Sequence, residues 1–206
     1  MLDDILSGWR RGSRGPLPQL SSLQVLAALI LIRGEGPVGR RLLSQALRIN
    51  DGVARGLLER LSEKEMIRIA ENGASLSEAG RKRLDSELGM LGVRSIHELG
   101  DTELVPGKSA VGVHLFGRYE EGLNGIRERD EAVRVGADGT ITMVMLDGRL
   151  VVPPDNKDVR DMVGDEDSRL RRLFGLSEKD LLIIGFASDS RLALVGALAA
   201  VLALAK

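Results

Sequence analysis

The 206-residue chain holds few side chains able to do covalent chemistry: it has no cysteine and two histidines, His97 and His114. The missing thiols exclude a disulfide scaffold, thiol catalysis, an iron–sulfur cluster and a thiolate zinc site. Gly-x-Ser-x-Gly, His-Glu-x-x-His and a nucleophile triad are absent too. No catalytic residue, metal ligand or cofactor is therefore expected. The polar groups that stand out form two sets. The first is basic and early: Arg40, Arg41, Arg55, Arg60 and Arg68, interleaved with Asn50, Asp51, Gly52, Asn72 and Gly73. Guanidinium groups in such a run suit phosphate, and one of them can read guanine through a bidentate pair. The second set is His114, Arg127, Asp130 and Arg134, a carboxylate among cationic and imidazole groups that could hold a small polar effector.

Charge divides in the same way. The formal net charge is −1, but residues 1–90 carry 14 Lys+Arg against 11 Asp+Glu, whereas residues 91–206 carry 15 against 19. The basic excess concentrates in residues 10–68, with 11 bases and five acids. Opposite signs predict one part that meets nucleic acid and one that does not. The aromatic residues are Trp9, Phe116, Tyr119, Phe174 and Phe186, too few for a platform that stacks single-stranded bases. Double-stranded DNA is the expected partner. The most apolar run, Leu192 to Ala205, falls short of the roughly 20 residues of a membrane span and reads as a buried helix. MLDDILSGWRRGSRG has no secretory apolar region, so a cytoplasmic protein without a membrane partner is expected.

These groups need elements to position them. Residues 1–19 read as an arm, with Arg10, Arg11 and Arg14 as candidate minor-groove contacts. SSLQVLAALILI, 21–32, reads as a buried helix capped by Ser21 or Ser22 and broken by GEGP. VGRRLLSQAL, 38–47, is a second helix. After a tight turn, Asn50 or Asp51 caps a third, about 51–64, with Val53, Leu57, Leu58 and Leu61 as its apolar stripe. MIRIA, the turn ENGA and SLS form a hairpin, and a helix of about Glu78–Met90 follows Ser77. This order over residues 20–90 predicts a winged helix-turn-helix whose third helix enters a major groove. Arg40 and Arg41 would then meet phosphate. Asn50, Asp51, Gly52 and Arg55 would face the bases, with Arg60 and Lys64 further along. Arg68, Asn72 and Gly73 would form the wing.

The segment VGRRLLSQALRINDGVARGLLERLSEKEMIRIAENGASLSEAG resembles the winged helix-turn-helix of prokaryotic transcriptional regulators, and the likeness covers residues 20–90. GVARGLLERL is particularly similar to archaeal regulators that join this module to a C-terminal domain of unknown function. Asn50-Asp51-Gly52 departs from the Ser/Thr-rich start common in such recognition helices. The stretch 120–139 with the following strand, Asp-Gly and strand resembles the C-terminal domain of the same regulators, which implies no activity.

Residues 91–107 read as a linker ended by Pro106-Gly107. Residues 108–206 read as βαββαβ plus a helix: strand 108–116, helix Glu120–Val135, strand 140–146, an Asp147-Gly148 hairpin, strand 149–153, helical material over 158–174, apolar strand 181–188 and helix 191–205 behind Asp189 or Ser190. The class is α/β (α+β), with a ferredoxin-like second domain; a doubly wound sheet stays open because the 181–188 strand looks central. On the 120–135 helix Leu123, Ile126 and Val133 share a face, and Asp130 falls among them. A carboxylate there must be paired, with Arg127, Arg134 or His114 as candidates, or face a pocket. Gly136-Ala137-Asp138-Gly139 reads as a helix end and turn. Asp165-Glu166-Asp167 reads as a cap for a helix at 168–174. Together these predict a sequence-specific DNA-binding regulator, homodimeric through helix 78–90 or 191–205, with a small-molecule effector in residues 108–206. A small-molecule enzyme with an autoregulatory helix-turn-helix, using Asp130, His114 and Arg127, is the alternative. A protein-interaction module is a third reading.

Overall fold

The computed structural model describes residues 20–205; the arm expected over 1–19, with its arginines, lies outside them. The chain divides into two compact units between Glu87 and Leu88.

In the first unit, α1 (Ser22–Glu35) starts from a full capping box, in which the Ser21 side chain accepts the Gln24 N–H and the Gln24 side chain accepts the Ser21 N–H. Residues 25–32 are all buried, the consequence of an apolar sequence with no polar stripe. α2 (Arg40–Ala46) begins two residues later than its apolar spacing predicts. Val38 is drawn instead into a bridge with Ala74, its N–H on the Ala74 carbonyl at 2.8 Å and the return bond at 2.9 Å. The following turn is closed by the Ser44 hydroxyl donating to the Ile49 carbonyl at 2.6 Å. α3 (Asp51–Glu63) is capped by Asn50, whose side chain accepts the Val53 N–H at 2.8 Å. It buries Ala54, Leu57, Leu58 and Leu61. β1 (Ile67–Ala70) and β2 (Gly73–Leu76) pair antiparallel. α4 (Glu78–Met90) follows. Its entry is set by Ser77, whose hydroxyl donates to the Glu65 carbonyl at 2.5 Å and accepts the Gly80 N–H at 2.8 Å. A Cβ at Gly80 would lie 1.9 Å from the Met66 carbonyl oxygen. Leu26, Leu29, Leu43, Leu57, Leu61, Met66 and Leu84 fill the core of this unit.

The second unit is a sheet with helices on both faces. In chain order come β3 (Val93–Glu98), β4 (Ser109–Leu115), α5 (Ile126–Arg134), β5 (Gly139–Leu146), β6 (Arg149–Val152), β7 (Lys157–Asp158), α6 (Val159–Phe174), β8 (Leu181–Ala187) and α7 (Ser190–Leu204). The sheet order is β3-β4-β8-β5-β6-β7, with every neighbouring pair antiparallel. Alternation along β8 sends Leu181 and Ile183 to one face, against Ala197, Ala200 and Val201 of α7. Leu182 and Ile184 go to the other, with Leu170 and Phe174 of α6.

Four expectations are corrected here. Residues 91–107 are not a bare linker: β3 lies within them and pairs with β4. The sheet is neither ferredoxin-like nor doubly wound. A ferredoxin-like βαββαβ unit inserts its third strand between the first two, whereas here the last, β8, lies between β4 and β5. β8 is apolar toward both faces and takes the centre; β6 is four residues long with Arg149 exposed and lies outside β5. The helix expected from Glu120 starts at Ile126, because Gly125 is left-handed at φ 75° and the preceding residues turn. Finally, Asp165-Glu166-Asp167 cap nothing at 168. They lie inside α6, which Asp158 caps, just beyond a non-helical residue at Val163.

Candidate nucleic-acid interface

In the first unit the short α2, the 47–50 turn, α3 and the β1–β2 hairpin carry the basic set. Arg40 and Arg41 are exposed in the first turn of α2, and Arg68 is exposed on β1. Arg48, not singled out by spacing alone, is exposed at the turn with φ 51°. These four guanidinium groups have no hydrogen bond or ion pair with a protein group among the described residues. Such groups are free to exchange water and counter-ions for phosphate.

The remaining candidates differ. Arg55 is 68% exposed on α3, and its Nε donates to Glu59 at 2.8 Å. Arg60 is turned inward at 20% exposure and pairs with Glu63 at 3.0 Å, so its stem packs rather than reaching out. Asn50 spends its side-chain oxygen on the helix cap. Asp51 and Gly52 are exposed in the first turn of α3, and Asn72 is exposed at the hairpin tip. Gly73 is half-buried with φ 131°, and a Cβ there would lie 3.0 Å from the Val38 backbone. The need for glycine comes from this positive φ and from the close approach of the Val38 backbone.

In the second unit the His114, Arg127, Asp130 and Arg134 set does not converge. His114 is fully buried on β4, with Nε2 2.8 Å from Asp180 and its ring edge-on to Phe174. Asp180 also accepts the N–H groups of Gly117 and Ser177, so the pair knits β4 to the entry of β8. α5 lies on the opposite face, packed on α7. The sheet therefore separates His114 from the other three. Asp130 is exposed and paired with Arg129, and Arg134 pairs with Glu131. The buried face of α5 is Glu128 and Ala132, while Ile126 and Val133 are half exposed. The stripe expected through Asp130 is thus displaced by the later helix start and by the turn that holds Leu123. Arg127 alone of the four lines a cavity, together with Glu128, a buried carboxylate that helical spacing counted from Glu120 does not pick out.

No group of three or more His, Asp or Glu side chains is placed to hold a metal among the described residues. No helix there is long and apolar enough to cross a membrane. Residues 23–82 match the family model of the PH0730-like N-terminal domain, and residues 105–204 match that of a domain of unknown function, DUF4443. No curated protein matches the chain. Among solved structures, the hypothetical protein PH0730 from Pyrococcus horikoshii OT3 has the same fold, with a TM-score of 0.70 at 23% identity, over 89% of this chain and 91% of that one. The chain is therefore similar in fold to that archaeal protein, its first unit matching the PH0730-like N-terminal domain and its second the domain of unknown function DUF4443.

Proposed function

We propose that the first unit is a winged helix-turn-helix that binds duplex DNA and that the chain is a transcriptional regulator. One observation carries this reading: four exposed arginines with no protein partner among the described residues, Arg40, Arg41, Arg48 and Arg68, lie on the helix before the turn, on the turn and on the hairpin around α3. In a winged helix-turn-helix those positions meet the backbone on either side of the recognition helix. Arg55 is the base-reading candidate, and Asn50 and Gly73 support the scaffold.

A pseudo-palindromic operator calls for a dimer. α7 leaves little surface for one, because Leu192–Leu194, Ala197–Val201 and Ala203 are buried. α4, with Met90 exposed at its end, is the remaining candidate. The second unit is read as the effector domain. The enzyme alternative has less support, since the sheet separates His114 from Asp130 and Arg127.

The test is binding of the purified full chain to labelled duplex from its own upstream region, beside a scrambled duplex. A preference of about 1,000-fold or more is expected for the native duplex. Absence of binding to either duplex at low salt overturns the proposal.

A further inference from the structure

Four carboxylates are buried among the described residues: Glu128, Glu166, Asp167 and Asp180. Three have partners. Asp180 accepts three hydrogen bonds; Glu166 accepts from Thr102 and Arg169; Asp167 has Arg160 and Arg171 each at 3.8 Å. Glu128 is 3% exposed and has neither a hydrogen bond nor an ion pair among the described residues. It lines a cavity of about 380 Å³ in the second unit; Glu166 lines another, more open one, but is already bonded to Thr102 and Arg169. Its oxygens open into the cavity rather than being sealed from solvent, and in a partly enclosed site an unpaired carboxylate attracts a cation more strongly than one on the open surface does. The rest of the lining fits a small cation with an aliphatic body. Leu115, Leu123, Val201 and Leu204 supply apolar wall, and Glu120 and Glu121 add negative charge at the rim. Arg118, also in the lining, is committed to the Met90 carbonyl at 2.6 Å. The volume suits a small molecule rather than a macromolecular segment.

We infer that this cavity binds a small aliphatic molecule through its primary ammonium group, with Glu128 as counter-ion. The ammonium can come from an aliphatic amine or from an α-amino acid, whose carboxylate would meet the exposed Arg127, which has no partner among the described residues. The inference deepens the reading of the second unit as an effector domain and rests on it.

Calorimetric titration of the full chain tests it with three probes: 1,4-diaminobutane, L-leucine and 4-methylpentanoate, which lacks the ammonium. Binding of at least one of the first two is expected, with none of the third. Glu128→Gln should weaken that binding by about tenfold or more, the loss of a charge-assisted contact. Weakening by Arg127→Ala assigns the amino acid, and indifference to it assigns the amine. Should Glu128→Gln fail to fold, Ala205→Trp at the exposed edge of the cavity should block binding instead. No binding of either ammonium probe, or equal binding by the variant, overturns the site. Binding that leaves duplex affinity unchanged overturns the effector reading and leaves the site standing.

Discussion

Replacing Arg40, Arg41, Arg48 and Arg68 together by alanine separates a phosphate-binding face from charges that are merely solvated. Each phosphate neutralised contributes about 0.9 to the slope of log K against log salt, so four contribute about 3.6. A fourfold rise in salt, from roughly 50 to 200 mM, then weakens binding about 150-fold through these four alone. The variant should lose that component and show a correspondingly shallower slope, on native and scrambled duplex alike. Its thermal stability should stay close to that of the parent, because none of the four has a protein partner among the described residues. Arg55 must behave differently. Its exposed i,i+4 pair with Glu59 is worth about 0.3–0.5 kcal/mol, and a bidentate guanine contact about 1–3 kcal/mol. The base contact wins, so Arg55→Ala should cost about 5- to 160-fold on the native duplex and little on the scrambled one. Fluorescence anisotropy across a salt series reads both effects. An unchanged slope in the folded quadruple variant would refute the reasoning, whatever the affinity.

Three further outcomes follow from particular contacts. Glu59→Gln releases Arg55 from its partner and should tighten native-duplex binding about twofold in the same assay; weaker binding would show that the pair pre-positions the guanidinium. Gly80→Ala should destabilise the first unit by about 1–3 kcal/mol in thermal melts, since the added carbon meets the Met66 carbonyl and not a movable side chain; a Tm equal to the parent's would contradict the packing of α4. Asp180→Ala should cost about 2–4 kcal/mol in chemical denaturation, chiefly because buried His114 loses its acceptor, without changing duplex binding by the first unit. An affinity change as large as that of the arginine variants would count against independent units.

Apart from the start of α2, the elements of the first unit were legible because their boundaries are written in local chemistry. Ser21 with Gln24, Asn50 before α3, Asn72-Gly73 in the hairpin and Ser77 before α4 act within three residues of themselves. Burial of α1 followed from eight successive apolar residues, and the central place of β8 from apolar side chains toward both faces. The basic set was legible as composition, and Arg40, Arg41, Arg55 and Arg68 are indeed exposed.

What needed the tertiary structure was non-local. The bridge from Val38 to Ala74 shortens α2 and requires glycine at position 73, across 35 residues of chain that no helical or strand period spans. The strand in 91–107 has mixed polarity and becomes a strand by pairing with β4. Strand order is a choice among pairings that leave similar local patterns, so β8 could be read as central without its neighbours being known. In α5 the apolar count from Glu120 placed Asp130 inside and left Glu128 unnoticed. A left-handed Gly125 delays the helix by six residues, and the face that meets α7 is set by where the helix starts and how it packs. Sequence alone determined which groups this protein has and most of the elements that carry them; packing decided which guanidinium groups stay free and which carboxylate is left facing a cavity, because burial and partnership belong to pairs of residues distant in the chain.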